Sequence, residues 1–213
     1  QGSARSTVDL APVDATSLEA GLRGAIADRV TWSLAAYHMS KQNGILAFQR
    51  PDDVRETVNA GETLHRGVEV GLGATLPLDL VLETALTRAQ HTYEDWRPNE
   101  TTDYSGNEME NAPGTLANTS LTWRPESGAR VGIEWVGQGS YFLDAANTQE
   151  YDGHDLLNVS ASVPVRFGVT LFGRVSNVTD ARYAESAGWS AFRGSGFAAG
   201  GPLMFFFRAV VGL

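Results

Sequence analysis

Apolar and polar residues alternate with a period of two along most of the chain. In Val169-Thr170-Leu171-Phe172-Gly173-Arg174-Val175-Ser176 the odd positions are apolar or glycine, while Thr170, Arg174 and Ser176 lie between them. Val131, Ile133 and Trp135 likewise fall on one face, and Leu157, Val159, Ala161 and Val163 oppose Asn158, Ser160 and Ser162. Val68, Val70, Leu72, Ala74 and Leu76 oppose Glu69, Gly71, Gly73 and Thr75. Side chains of a strand point alternately to its two faces, so this spacing predicts strands and not helices. Nine segments carry it, at roughly 17–26, 29–39, 65–76, 79–92, 115–124, 129–138, 155–164, 167–177 and 203–213.

The connections alternate between short and long. Tight turns are expected at Asp28-Arg29, Pro77-Leu78, Pro125–Gly128 and Arg166, and long polar stretches at 40–64, 93–114, 139–154 and 178–202. Transmembrane barrels place short turns at one end and long loops at the other. The segments are also long for globular strands, whose usual length is ~5–6 residues, and they match the ~9–11 of a tilted membrane strand. The residues inferred to face lipid, Leu18, Leu22, Val30, Trp32, Leu34, Leu80, Leu82, Leu86, Leu121 and Trp123 with the apolar rows named above, are uncharged. The opposite face holds Glu69, Glu83, Arg124, Arg130, Glu134, Arg174 and Arg208, which are the lumen-facing candidates. Alternation in Leu203, Phe205, Phe207, Ala209, Val211 and Leu213 predicts a last strand that pairs with a first one to remove the barrel edge.

Composition narrows the function. The 213 residues include 25 acidic and 16 basic side chains, a formal charge of −9, against the basic patch a nucleic-acid binder needs. There is no cysteine, hence no disulfide, thiolate metal site or cysteine nucleophile. His38, His65, His91 and His154 lack zinc-ligand spacing and read as solvated loop histidines. The loop carboxylates, such as Asp52-Asp53 and Glu94-Asp95, show no calcium-loop frame and read as an acidic solvated surface. No nucleophile elbow, zincin or P-loop motif occurs, so neither an enzyme nor a bound metal or cofactor is expected. Aromatic residues cluster near strand ends, the pattern of interfacial girdles. Tyr93, Trp96, Tyr104, Tyr141 and Trp189 lie in or beside the long loops and are the candidates for stacking on a substrate.

Five motifs in order resemble one family. They are Val58-Asn59-Ala60-Gly61-Glu62-Thr63 followed by His65-Arg66-Gly67-Val68-Glu69-Val70, then Asn111-Ala112-Pro113-Gly114-Thr115-Leu116, the stretch Tyr151 to Leu157, Asn177-Val178-Thr179-Asp180-Ala181-Arg182-Tyr183, and the apolar last strand. Together they resemble TonB-dependent outer-membrane receptors over roughly residues 29–213. The resemblance implies an all-β, antiparallel transmembrane barrel of about 22 strands around a plug. This chain would supply about nine C-terminal strands over 17–213, with 1–16 an irregular segment or incomplete strand. It further implies a bacterial outer-membrane receptor for a ferric siderophore or cobalamin, energised through the TonB–ExbB–ExbD complex. The partners would be upstream strands and plug, from the same gene or another chain, together with outer-membrane lipid and a small-molecule or metal-chelate substrate. A small autonomous barrel acting as a passive porin, closed by a strand near 4–14, is the alternative reading, and a soluble β-sandwich binding module is the third.

Overall fold

The computed structural model describes residues 10–51 and 54–211. Its strands are β1 (Asp14–Ile26), β2 (Val30–Gln49), β3 (Arg55–Leu76), β4 (Leu80–Asp95), β5 (Thr115–Trp123), β6 (Arg130–Gln138), β7 (Tyr141–Phe142), β8 (Glu150–Tyr151), β9 (His154–Pro164), β10 (Val169–Ser176), β11 (Ala184–Ser190), β12 (Gly194–Ala199) and β13 (Met204–Val211). Nine of them form one antiparallel sheet in the order β1-β2-β3-β4-β5-β6-β9-β10-β13, with β1 and β13 at its two edges. The other four make two small ribbons, β7 with β8 and β11 with β12. Of the alternative first strand near 4–14, residues up to 9 lie outside the described residues, as does the terminal Leu213; residues 10–13 are in no strand, and β1 begins at Asp14.

Register explains why the alternation is so regular. One row of paired residues runs Ile26, Val30, Ala74, Leu82, Leu121, Ile133, Val159, Val175, Phe205 across all nine strands, and every member is apolar. The adjacent row on the other face reads Ala25, Thr31, Gly73, Glu83, Ser120, Glu134, Asn158. A one-residue slip of any strand would exchange the two faces, so burial in lipid on one side fixes the pairing. The apolar face has no protein layer over it: Leu18 is 74%, Ile133 47% and Phe207 77% exposed. Only six apolar residues are buried among the described residues, and five of them (Leu46, Tyr93, Tyr141, Leu143 and Ala184) lie in or beside the loops. A water-soluble sheet cannot leave an apolar face of this extent uncovered. Such a face with a polar reverse side defines a membrane-barrel sheet.

Three-residue connections, 27–29 and 77–79, close β1 to β2 and β3 to β4. Ala27, Asp28, Leu78 and Asp79 all adopt positive φ, between 49° and 64°, as the tight hairpin turn compatible with strand twist requires. The expected turn pairs, Asp28-Arg29 and Pro77-Leu78, fall within these connections. At the opposite end β2 and β3 run on to 20 and 22 residues, well beyond the apolar band. Residues 40–49 and 55–64, expected as loop, are therefore paired strand, interrupted by a bulge between Lys41 and Ile45.

Candidate functional site

All seven charged candidates fall on the polar face. Glu134 on β6 is the centre of a network that joins four strands. It accepts from Arg174 Nη2 on β10 at 2.7 Å, from Asn158 Nδ2 on β9 at 3.1 Å and from Asn118 Nδ2 on β5 at 3.3 Å. Arg124 reaches Glu83 at 3.5 Å. Arg208 lies 5.6 Å over the Phe172 ring, and its pairing row continues through Ser162 to Arg130. Neither Arg130 nor Arg208 has a carboxylate within 4.0 Å among the described residues. Glu69 pairs in register with Ala35 and Thr87 on the same face.

Beyond the band the loops fold on one another. Tyr93 is 2% exposed, donates its hydroxyl to the Glu110 carboxylate, and stacks on Trp96 at 4.7 Å. Burial, reinforced by Glu110, raises the Tyr93 phenol above its ordinary value. Trp96 lies against the backbone of Gly61, where a Cβ would come within 2.2 Å of the indole. Asn59, two residues earlier, receives the Ala11 amide at 2.7 Å and donates to the carbonyls of Ala11 and Asn43 at 3.0 and 2.7 Å. The Asn59-Ala60-Gly61 motif is thus a clamp that joins the top of β2 and β3 to the segment before β1 and to the β4 loop. Gly61→Ala should destabilise this loop cluster by ~1–3 kcal/mol through overpacking. Hydrogen exchange of residues 93–110 should rise, and Trp96→Ala in the same chain should remove most of the added effect.

The next two loops are zipped together. Asn107 Nδ2 donates to Ala145 O, the Glu108 amide to Asn147 Oδ1, and Asn147 Nδ2 to Glu108 O, each at 2.8 Å. Buried Asp144 accepts from the amides of Thr148 and Gln149 and from the Thr148 hydroxyl. Asp103, on the exposed part of the loop, is held below the usual carboxylate range by hydrogen bonds from Ser105 and by Arg97. Within the described residues no group of three or more His, Asp and Glu is arranged to hold a metal.

The histidines depart from the expectation of solvated loop residues. His65 is 9% exposed and, beyond the apolar band on the polar face, places its Nδ1 2.9 Å from Nδ1 of His91, with Thr63 Oγ1 3.0 Å from its Nε2. Burial first, then His91 and Lys41, lower the His65 pKa, consistent with a neutral pair sharing one proton. His154 sits in an aromatic cluster: its ring is 4.7 Å from that of Tyr183, and its Nδ1 lies 2.9 Å from the Tyr151 hydroxyl.

The structure separates the five aromatic candidates. Tyr93, Trp96 and Tyr104 share one loop, where the Tyr104 amide donates to Trp96 O at 2.9 Å. Tyr141 is 7% exposed and packs on Tyr151 at 5.3 Å. Trp189 projects from the β11–β12 hairpin, 37% exposed, beside Phe192 at 95%. Tyr93 and Tyr141 therefore support loops from inside, while Trp96 and Tyr104 are half-buried and Trp189 is open to solvent. Tyr93, Trp96, Tyr104 and Tyr141 thus pack within the loops, whereas Trp189 is exposed on its hairpin; Trp135, with its Nε1 2.9 Å from Asp155 Oδ1, faces outward at the same end of the sheet.

An unbroken apolar outer row, a charged reverse face, tight turns at one end and interlocked loops at the other define a transmembrane β-barrel segment of the receptor or porin class. The profile of the family described as TonB dependent receptor-like, beta-barrel matches residues 1–178. The chain belongs to that family, whose members are transport receptors and not enzymes. The probable TonB-dependent siderophore receptor PiuA of Acinetobacter baumannii is 24% identical over 184 residues, spanning 83% of this chain and 24% of that protein. The crystal structure of PiuA superposes with a TM-score of 0.75 at 22% identity, over 92% of this chain and 28% of PiuA. The ferric yersiniabactin uptake receptor FyuA from Yersinia pestis gives 0.74 at 15% identity, over 92% of this chain and 29% of FyuA. The copper transporter OprC gives 0.70 at 18%, over 94% of this chain and 31% of OprC. The chain thus spans about a quarter of the length of PiuA.

Proposed function

We propose that this chain forms part of the barrel of a bacterial outer-membrane receptor that takes up a ferric siderophore or a cobalamin-class solute, energised through TonB. Membership of the family over residues 1–178 carries this reading. The fold shared with PiuA and FyuA supports the ferric-chelate arm. In this reading residues 17–213 supply C-terminal strands, preceded by an irregular segment, and further strands and a plug complete the receptor. The polar face then lines the lumen. Glu69, Glu83, Arg124, Glu134 and Arg174 hydrate the passage, and Arg130 and Arg208, which have no carboxylate within 4.0 Å among the described residues, offer their guanidinium groups to plug carboxylates. Charge-assisted hydrogen bonds of that kind are the stronger ones and can be broken and remade as a plug moves. Trp96, Tyr104 and Trp189 are the ligand-contacting residues, with Tyr93 and Tyr141 holding their loops in place.

The test uses the whole receptor in its own membrane. Ferric-siderophore binding is followed by quenching of tryptophan fluorescence, and uptake is measured with and without a protonophore. Binding should weaken about tenfold in Trp189→Ala or Tyr104→Ala, in line with the loss of one buried aromatic contact, and uptake should stop when the proton gradient collapses. Uptake that continues without the gradient would replace this reading with the passive channel.

A further inference from the structure

Among the described residues, two arginines on the lipid-facing side have no carboxylate within 4.0 Å. Register places Arg66 of β3 in an outward row with His38 and Gln90, and Arg88 of β4 in the next outward row with Ala36, Val68 and Thr115. Both side chains are exposed, whereas His65, beside Arg66 on the other face, is buried. Each lies immediately on the loop side of the apolar band: Val68, Val70 and Leu72 follow Arg66 on β3, which runs away from the loops, and Leu86 precedes Arg88 on β4, which runs toward them. Their hydrogen-bond partners are neutral. Arg66 Nε and Nη2 donate to Gln90 Oε1 at 3.0 and 2.7 Å, and Arg88 Nη1 donates to Thr115 Oγ1 at 2.5 Å. Within the described residues no carboxylate lies within 4.0 Å of either guanidinium, although the chain as a whole carries a formal charge of −9.

A guanidinium is costly in the hydrocarbon and favourable at the headgroup level, where an anionic surface attracts it. Because Arg66 pairs directly with Gln90, Arg88 is its diagonal neighbour, with side chains starting roughly 7–8 Å apart. Two long forked donors at that spacing can converge on one phosphate group from both sides. Arg66 and Arg88 each retain donor groups beyond those used by Gln90 and Thr115.

We propose that Arg66 and Arg88 form a binding site for the phosphate of an anionic lipid headgroup in the leaflet on the loop side of the barrel, with His38 at its margin. The site lies on the outside of the barrel, away from the polar face and from the ligand-contacting loops. The inference rests on the outer-membrane placement proposed above, which membrane fractionation checks on its own.

The experiment takes the whole receptor, purified and placed in lipid nanodiscs, and measures retention of bisphosphorylated lipid A against the same lipid with its phosphates removed. Wild-type receptor should retain the phosphorylated form preferentially. Arg66→Gln or Arg88→Gln should each weaken retention about fivefold, and both together roughly 25-fold. Arg130→Gln, on the opposite face, should leave retention unchanged. A variant with Lys at positions 66 and 88 should keep much of the preference, which separates loss of charge from loss of fold; heat-modifiability on gels confirms that each variant is folded. No preference for the phosphorylated lipid, or full retention by the folded double Gln variant, would overturn the site. Displacement of the lipid by millimolar inorganic phosphate would overturn the lipid assignment in favour of a free-anion site.

Discussion

Ile133→Arg should nearly eliminate folded receptor from the membrane, while Glu134→Ala should leave most of it in place. The two positions are neighbours on β6 but point to opposite sides. Ile133 is in the middle of the nine-residue apolar row, between Leu121 and Val159, and is 47% exposed with no protein above it. An arginine on the lipid face near mid-membrane costs ~2–4 kcal/mol, and position 133 is too far from either end of the row for its guanidinium to reach the headgroups easily. Removing the Glu134 carboxylate instead deletes an ion pair whose side chains are 39% and 32% exposed. Solvent on that face can hydrate Arg174, Asn118 and Asn158, so the loss should be about 1 kcal/mol or less. The folded, heat-modifiable band in membrane fractions reads the difference. Equal tolerance of both changes would overturn the face assignment.

This contrast also explains which parts of the fold were legible in the sequence. The nine strands could be read because lipid on one side demands an apolar residue at every second position. Where β2 and β3 rise beyond Arg66, both faces meet water or other loops, and Lys41-Gln42-Asn43-Gly44 carries no alternation to read. The strand pairing there is held by backbone hydrogen bonds that leave no mark on side-chain polarity. The β11–β12 hairpin was hidden for the same reason: β12 is exposed at every position, and its Gly194, Gly196 and Phe197 follow no two-residue rule. Aromatic type near the loops could be read, but not its depth. Tyr93 and Tyr104 look equivalent in sequence, yet one is buried because Gly61 admits Trp96 over the backbone and Glu110 returns to meet the hydroxyl. Both partners are remote in sequence, so only the folded chain distinguishes the two tyrosines. His65 repeats the lesson, since its burial depends on His91 from the next strand.

Asn177→Ala should loosen the whole β10–β13 connection without preventing membrane assembly. Asn177 is 3% exposed and adopts φ 52°, the left-handed region. Its Nδ2 donates to the carbonyls of Ala181 and Gly201 at 2.9 and 3.0 Å, and its Oδ1 accepts the Ala181 amide at 2.8 Å. One side chain thereby ties the start of the loop to its end. Asp180 Oδ1 accepts the Leu203 amide at 3.0 Å, and the Tyr183 ring lies where a Cβ on Gly200 would come within 2.2 Å. Alanine would lose three side-chain hydrogen bonds, leave the half-buried Ala181 amide without its partner, and meet strain in the left-handed conformation. These losses, at ~1 kcal/mol per net bond plus ~1–2 for the backbone, amount to ~4–5 kcal/mol of local stability. Protease cleavage and hydrogen exchange within 178–203 should rise accordingly, while the heat-modifiable band persists because the apolar rows are intact. Asn177→Gly should relieve the backbone strain and recover part of the loss, and Asn177→Asp should keep the acceptor but not the two donated bonds. A loop no more open in the alanine variant than in the wild type would mean that the aromatic packing of Tyr151, His154 and Tyr183 holds the connection, and that the asparagine is incidental to it.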